Sequence, residues 1–209
     1  MRKPAVSHKA GDIVELAGIK FVVLENQGPC QSDGEYDRLL ILTLESQGDA
    51  VFGNCNNYAE SNLREKVDEW LYRLTETLSE DYGIETPAIY KRHIDLSTLD
   101  GYKGFGAMDV AAAPLTMDEA REYAEYIPNP DEACWLATGW GAPEHFGATL
   151  ALGVNSNGVW SLSYCSGSYG VRPALVISSS LLSSVDDKDV LKEISTDELL
   201  AELRRRIEE

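Results

Sequence analysis

Positive charge is scarce in this sequence. The 209 residues include 35 acidic and 18 basic side chains, which gives a formal net charge of −17 at pH 7. Such a surface repels phosphate backbones and anionic membranes, so we expect no nucleic-acid partner. The simpler consequence of the acidic excess is solubility, because a large net charge opposes association of like molecules.

Long apolar runs are also missing. No stretch of about 18 consecutive apolar residues occurs, so the sequence predicts no helix inserted in a membrane. The first residues, Met1–His8, carry charge but are not followed by the apolar segment of a secretory signal. We therefore expect a protein made in the cytoplasm without a signal peptide.

Paired cysteine motifs are absent as well. None of Cys30, Cys55, Cys134 and Cys165 forms a C-x-x-C pair, which argues against a zinc site, and we expect no cofactor. Reduced thiols are the expected state without an export signal. A bridge between Cys134 and Cys165 stays open, because the sequence does not give the distance between them.

The hydropathy pattern of the chain consists mainly of short predicted strands separated by turn residues. The pattern predicts a hairpin of residues 11–18 and 19–24 through Ala17-Gly18, then a loop over 26–35 and a buried strand over 38–44. Residues 89–96 are compatible with strand or loop, and residues 100–113 look irregular.

The second half of the chain is again predicted as strands. These cover residues 134–137, a hairpin of 148–154 and 158–162 about Asn155-Ser-Asn-Gly158, and a last strand over 169–177. Pro173 places that last strand at a sheet edge or a bulge, because proline lacks a ladder donor.

Three capping sequences predict helix starts. Asn62 with Glu65 opens a first helix, whose apolar face is Leu63, Val67, Trp70, Leu71 and Leu74. Thr116 with Glu119 opens a second helix over 117–126, ended by Pro128. Ser195 with Glu198 opens a third that runs to the C-terminus. The apolar stripe of this helix must dock either on the domain or on copies of itself. The second alternative would make the protein a homo-oligomer.

The connection from Trp160 to Tyr169 holds small polar and aromatic residues between predicted strands. Tyr, Ser, Gly and Asn are residues that antibody-like binding surfaces use, because they combine rigid contact area with adaptable hydrogen bonding. An ordinary exposed loop has the same composition. The pattern favours a binding protein over an enzyme.

In order along the chain, several segments resemble a family of uncharacterised bacterial and phage domains with a C-type-lectin-like fold. These are Gly11-Asp-Ile-Val14, Ile19–Leu24, Asn57-Tyr58, Ser61–Arg64, Trp70-Leu71, Leu115–Ala120, Cys134–Ala137, Asn157-Gly158 and Tyr169-Gly-Val-Arg-Pro-Ala-Leu175. The resemblance implies an α+β fold, with two helices packed on small antiparallel sheets plus a C-terminal helix. It implies a tail over 1–9, a lectin-like domain over 10–178, and a hinge and helix over 179–209.

The family is similar to the variable proteins of diversity-generating retroelements, in which one segment is hypermutated at adenines. That likeness implies a phage- or prophage-encoded, virion-associated protein that binds a protein or glycan on a cell surface. The rest of the fold stays fixed and forms the frame that carries this segment. An Asn codon altered only at adenines cannot give Trp or Glu, so Trp140, Glu144 and Trp160 would belong to the frame. Trp135 and Arg172 would also hold the frame. The candidate variable face comprises Thr138, His145, Asn155, Asn157, Ser161, Ser163, Tyr164, Cys165, Ser166, Ser168 and Tyr169.

Other interpretations stay open at the level of sequence. The chain could be a structural component of a virion or a cell-surface assembly with no ligand. Formylglycine-generating oxidases use a similar frame with a cysteine pair and copper, which Cys134 and Cys165 resemble, although the flanking motifs differ. Arg172 could bind an anion or, by forking onto carbonyls or a carboxylate, fix the last strand. The calcium motifs of lectins are absent, so the resemblance does not imply calcium binding.

Overall fold

The computed structural model describes residues 8–29, 36–144 and 146–182. Antiparallel strands dominate these residues and two helices accompany them, so the protein belongs to the α+β class. The predicted C-terminal helix, Cys30 and the candidate residue His145 lie outside the described residues.

Two sheets form the body of the molecule. The first contains β1 (Ile13–Leu16), β2 (Ile19–Pro29), β3 (Asp37–Thr43), β13 (Ala174–Ser178) and β5 (Ile89–Tyr90) in that order, with β8 (Ala112–Ala113) also paired to β13. The second contains β11 (Trp160–Tyr164), β10 (Leu150–Val154), β9 (Cys134–Gly139), β12 (Ser168–Gly170) and β4 (Asp49–Val51). A small separate ladder joins β6 (Arg92–Asp95) to β7 (Ala107–Val110).

The first hairpin agrees with the prediction from the sequence. Ala17 and Gly18 have φ of 52° and 77°, the positive values that a two-residue turn of type I′ requires. The loop predicted from residue 26 is wrong in part, because β2 continues to Pro29. Register shifts before Glu25 and before Pro29 let the strand keep pairing with β3 past Gly28.

The last predicted strand, over 169–177, is two strands in different sheets. Three residues, Val171, Arg172 and Pro173, carry the chain from β12 in the second sheet to β13 in the first. Pro173 cannot donate a ladder hydrogen bond, and its carbonyl accepts one from Thr43 N at 3.1 Å. The proline therefore marks the crossing between the sheets and not an edge within one strand.

The helices begin where capping side chains satisfy their first N–H groups. Ser61, and not Asn62, is the N-cap of α1 (Asn62–Glu80), because its hydroxyl accepts from Arg64 N at 3.0 Å. Thr116 and Glu119 form the predicted capping box of α2 (Met117–Glu122), which ends four residues earlier than predicted. The apolar face of α1 is buried at Leu63, Val67, Trp70, Leu74 and Leu78.

Both faces of the first sheet are covered. Phe21 and Ile41 belong to a hydrophobic cluster that includes the apolar side of α1, which we call the α1 cluster. Val22 and Leu42 belong to a second one that includes residues of α2, which we call the α2 cluster. The strand β9 contributes to both clusters, which explains why all six of its residues are buried. Leu181 and Leu182, in the segment expected to begin a hinge, pack into the α1 cluster, so the core continues at least to Leu182.

Candidate functional site

The strand β11 lies at one end of the second sheet and presents apolar side chains to solvent. Within the described residues it pairs only with β10, so one backbone edge carries no strand partner there. Trp160, Leu162 and Tyr164 alternate along it and are 39%, 42% and 61% exposed. We call these three side chains the β11 stripe.

The stripe continues an apolar face of the second sheet. Trp160 lies opposite Val154 and Leu162 opposite Leu152, two β10 residues that pack in the α2 cluster. Four of the eight exposed large apolar side chains in the described part of the chain fall between residues 159 and 164. The guanidinium of Arg121, on α2, lies 5.3 Å from the centre of the Trp160 ring, a cation–π contact.

The serines of β11 occupy its other face and bond within the protein. Ser161 Oγ donates to Asn155 Oδ1 at 3.2 Å, and Ser163 Oγ donates to the Tyr169 hydroxyl at 2.7 Å. All four of these candidate residues are half-buried, and the Tyr169 ring packs against Trp135. They form two closed polar pairs, so their hydrogen-bonding groups are engaged before any ligand arrives.

Of the other candidate residues, three are exposed and two are buried. Asn157, Ser166 and Ser168 are at the surface. Thr138 is only 3% exposed, and its hydroxyl accepts from Met117 N at 2.9 Å, which ties β9 to the start of α2. Cys165 is also buried, and its backbone bonds to Thr149 and Gly53. The structure therefore excludes Thr138 and Cys165 from an exposed face.

The residues expected to hold the frame also include both buried and exposed side chains. Trp135 is buried and donates from Nε1 to Ala50 O at 2.8 Å. Arg172 forks onto two carbonyls, donating from Nε to Thr43 O at 2.8 Å and from Nη1 to Pro128 O at 3.2 Å. Trp160, in contrast, does not hold the frame, because it lies on the exposed stripe of an edge strand.

A cleft opens beside the stripe, between the α2 region and strands β9 and β10. Its outer part, about 110 Å³, is bordered by Trp160, Gly158 and Asn129. Its inner part, about 40 Å³, is bordered by Leu136, Cys134 and Arg172. Four residues border both parts: Ala120, Ile127, Pro130 and Val154. The outer and inner parts therefore adjoin.

The buried thiols are neutral at physiological pH. Burial raises the pKa of Cys134 and of Cys165 to about 12, although Arg172 acts in the opposite direction on Cys134. Cys55, Cys134 and Cys165 are free, so the open question of a Cys134–Cys165 bridge is answered in the negative. Among the described residues, no group of three or more His, Cys, Asp or Glu side chains is placed to hold a metal ion.

The sequence contained a signal for the exposed stripe that the prediction did not use. Trp-Ser-Leu-Ser-Tyr alternates strictly, which predicts one apolar and one polar face. Alternation does not reveal whether another element covers the apolar face. The codon argument that places Trp160 in the frame does not address exposure either, so the predicted face lacks both Trp160 and Leu162. No helix in the part of the chain that the structure describes is long and apolar enough to cross a bilayer.

Comparisons with known proteins add no assignment to this geometry. No family model, no curated protein and no solved structure matches the chain.

Proposed function

We propose that this chain is a non-enzymatic binding protein that recognises a protein or glycan on a cell surface through the β11 stripe. The observation that carries the proposal is the concentration of exposed apolar side chains on one side of an edge strand. Clustered exposed apolar side chains on a folded protein mark interaction sites, because leaving them in water is costly. Trp and Tyr are also the side chains most often found at the energetic centres of interfaces.

A protein ligand fits this surface better than a glycan. Leu162 adds an aliphatic side chain between the two aromatic ones. The outer edge of β11, which has no strand partner among the described residues, offers backbone donors and acceptors to an added strand. Arg121 supplies a cation beside Trp160. The exposed residues Asn157, Ser166 and Ser168 lie in the segments flanking β11 and supply polar contacts.

The resemblance to lectin-like variable proteins supports a more specific form of the proposal. The fold would be C-type-lectin-like, and the chain would be phage- or prophage-encoded and diversified by a retroelement. Tyr164, Asn157, Ser166 and Ser168 are the candidate variable positions where exposure leaves room for substitution. A near-repeat of codons 138–175 that differs at adenines, beside a reverse transcriptase gene, is the expected genomic signature. Its absence would remove diversification and leave the binding proposal in place.

The binding proposal is tested by a screen against cell surfaces and glycan arrays with matched variants. Trp160→Ala and Tyr164→Ala should each weaken binding at least about tenfold, as truncation at an interface centre does. Tyr72→Ala is the control, because Tyr72 is an aromatic residue on α1 that is as exposed as Tyr164. All three variants should keep the free energy of unfolding within roughly 0.5–1 kcal/mol of the parent. If the parent protein binds no cell surface and no glycan in the screen, the rival role as a structural component of an assembly is favoured.

A further inference from the structure

We infer that the cleft beside the β11 stripe is a binding site for a small carboxylate with a short apolar body, held by Arg172. The inference rests on the proposed function only through Trp160, which belongs to the stripe and also borders the cleft.

Arg172 is a buried cation without a carboxylate partner in the described part of the chain. Its side chain lies in the protein interior, since the residue is 6% exposed. Nε and Nη1 donate to two backbone carbonyls, and Nη2 is buried with no hydrogen-bond partner. A buried guanidinium in this state keeps both N–H groups of Nη2 unsatisfied and its positive charge uncompensated, and both are unfavourable.

The second buried arginine shows how this protein otherwise treats such a group. Arg92 is 8% exposed, and its Nη1 forms an ion pair with Glu119 while Nη2 donates to Ala113 O and Pro114 O. Each guanidinium donates to carbonyls and keeps one buried nitrogen without a partner, Nε in Arg92 and Nη2 in Arg172. Within the described residues, the difference between them is the carboxylate that pairs with Arg92. No carboxylate among the described residues does the same for Arg172, which leaves that role to a bound ligand.

The described groups near Arg172 do not supply its counter-ion. Asp131 is the carboxylate that acts on it electrostatically, yet Asp131 is exposed and forms no described ion pair with it. The Cys134 thiol borders the same inner cavity and stays protonated at neutral pH, because burial raises its pKa to about 12. An added carboxylate would therefore bring the compensating negative charge.

The size and lining of the cleft define the rest of the ligand. The inner part, about 40 Å³, offers room for roughly three water-sized groups, which matches a carboxylate and one carbon. The walls there are mainly apolar, with Leu115, Leu136 and Val154 among them. The outer part, about 110 Å³, continues toward Trp160 and accommodates a few further carbons. Butyrate is thus a suitable probe, and butyramide is its neutral counterpart of the same shape.

The test is a titration of the full chain with each compound, followed by NMR of the backbone amides and of the arginine guanidinium groups. Butyrate should bind at least about tenfold more tightly than butyramide, because only the carboxylate brings a negative charge to the guanidinium and two acceptor oxygens. Its addition should shift the Arg172 side-chain signals and leave those of Arg92 unchanged. Equal binding of the two compounds, no binding of either, or binding that leaves the Arg172 signals unmoved would overturn the inference.

Variants separate the cleft from the fold and from the stripe. Ala120→Leu places a larger side chain at the junction of the two parts and should weaken butyrate binding about tenfold. Ala107→Leu, the same change at an exposed position of β7, should have no effect. Leu162→Ser should weaken cell-surface binding and leave butyrate affinity unchanged, because Leu162 borders neither part of the cleft. If the parent protein binds no cell surface, the proposed function is refuted and the inference stands. If the parent protein does not bind butyrate, the inference is refuted and the proposed function stands.

Discussion

Glu119 joins three parts of the structure through one carboxylate. One oxygen accepts from the N-cap backbone at Thr116 N, and the other forms the ion pair with buried Arg92. Arg92 in turn donates to the carbonyls of Ala113, the last residue of β8, and of Pro114, which follows it. The carboxylate thus links the start of α2 to β6 and, through β8, to the first sheet.

We predict that Glu119→Gln lowers the free energy of unfolding by about 3 kcal/mol. The amide keeps much of the shape but leaves the Arg92 charge buried without a counter-ion, which is the costly way to break a buried pair. Urea unfolding followed by circular dichroism measures the change. Asp118→Asn is the control: it removes the exposed ion pair with Arg121 and should cost at most about 0.5 kcal/mol. Equal effects of the two variants would show that the Arg92 pair is not a buried one in solution.

At the scale of elements, local patterns determined what the sequence could predict. The turn at Ala17-Gly18, the apolar face of α1 and the capping box of α2 depend on neighbouring residues only, and all three are present. The break of the 169–177 strand at Pro173 depends on which sheet each half joins, and no local pattern contains that information. The exposure of Trp160 has the same origin, because it follows from the position of β11 at the end of its sheet.

The β1–β2 hairpin contains an avoidable strain at Ala17. Among the described residues, Ala17 is the only non-glycine residue with a positive φ, and alanine tolerates that conformation poorly. We predict that Ala17→Asn, which creates the Asn-Gly pair preferred in this turn, raises the free energy of unfolding by about 0.5–1 kcal/mol. Gly18→Ala is the opposite change and should lower it by about 1 kcal/mol, although nothing lies within 4 Å of the added carbon. Thermal unfolding of both variants checks the two signs, and a stabilised Gly18→Ala variant would contradict the turn.

For the whole molecule, the net charge of −17 sets the long-range electrostatics. The described surface ion pairs include Arg64–Asp68 and Arg121–Asp118, which are short-range and exposed. Exposed pairs contribute little to stability, so they offset only part of the repulsion among acidic side chains. The folded state concentrates that repulsion because it is more compact than the unfolded chain.

We predict that added salt stabilises the protein. The screening length falls from about 30 Å at 0.01 M salt to about 8 Å at 0.15 M, so repulsion across the molecule weakens while contacts a few ångströms apart persist. The unfolding temperature should rise by roughly 2–4 °C over this range, which for a chain of this size corresponds to about 1 kcal/mol. Sodium and potassium chloride should act equally at equal ionic strength, because screening depends on ionic charge and concentration. A fall in the unfolding temperature would mean that attractive pairs outweigh the acidic excess. In that case the scarcity of lysine and arginine would not be what limits the stability of this fold.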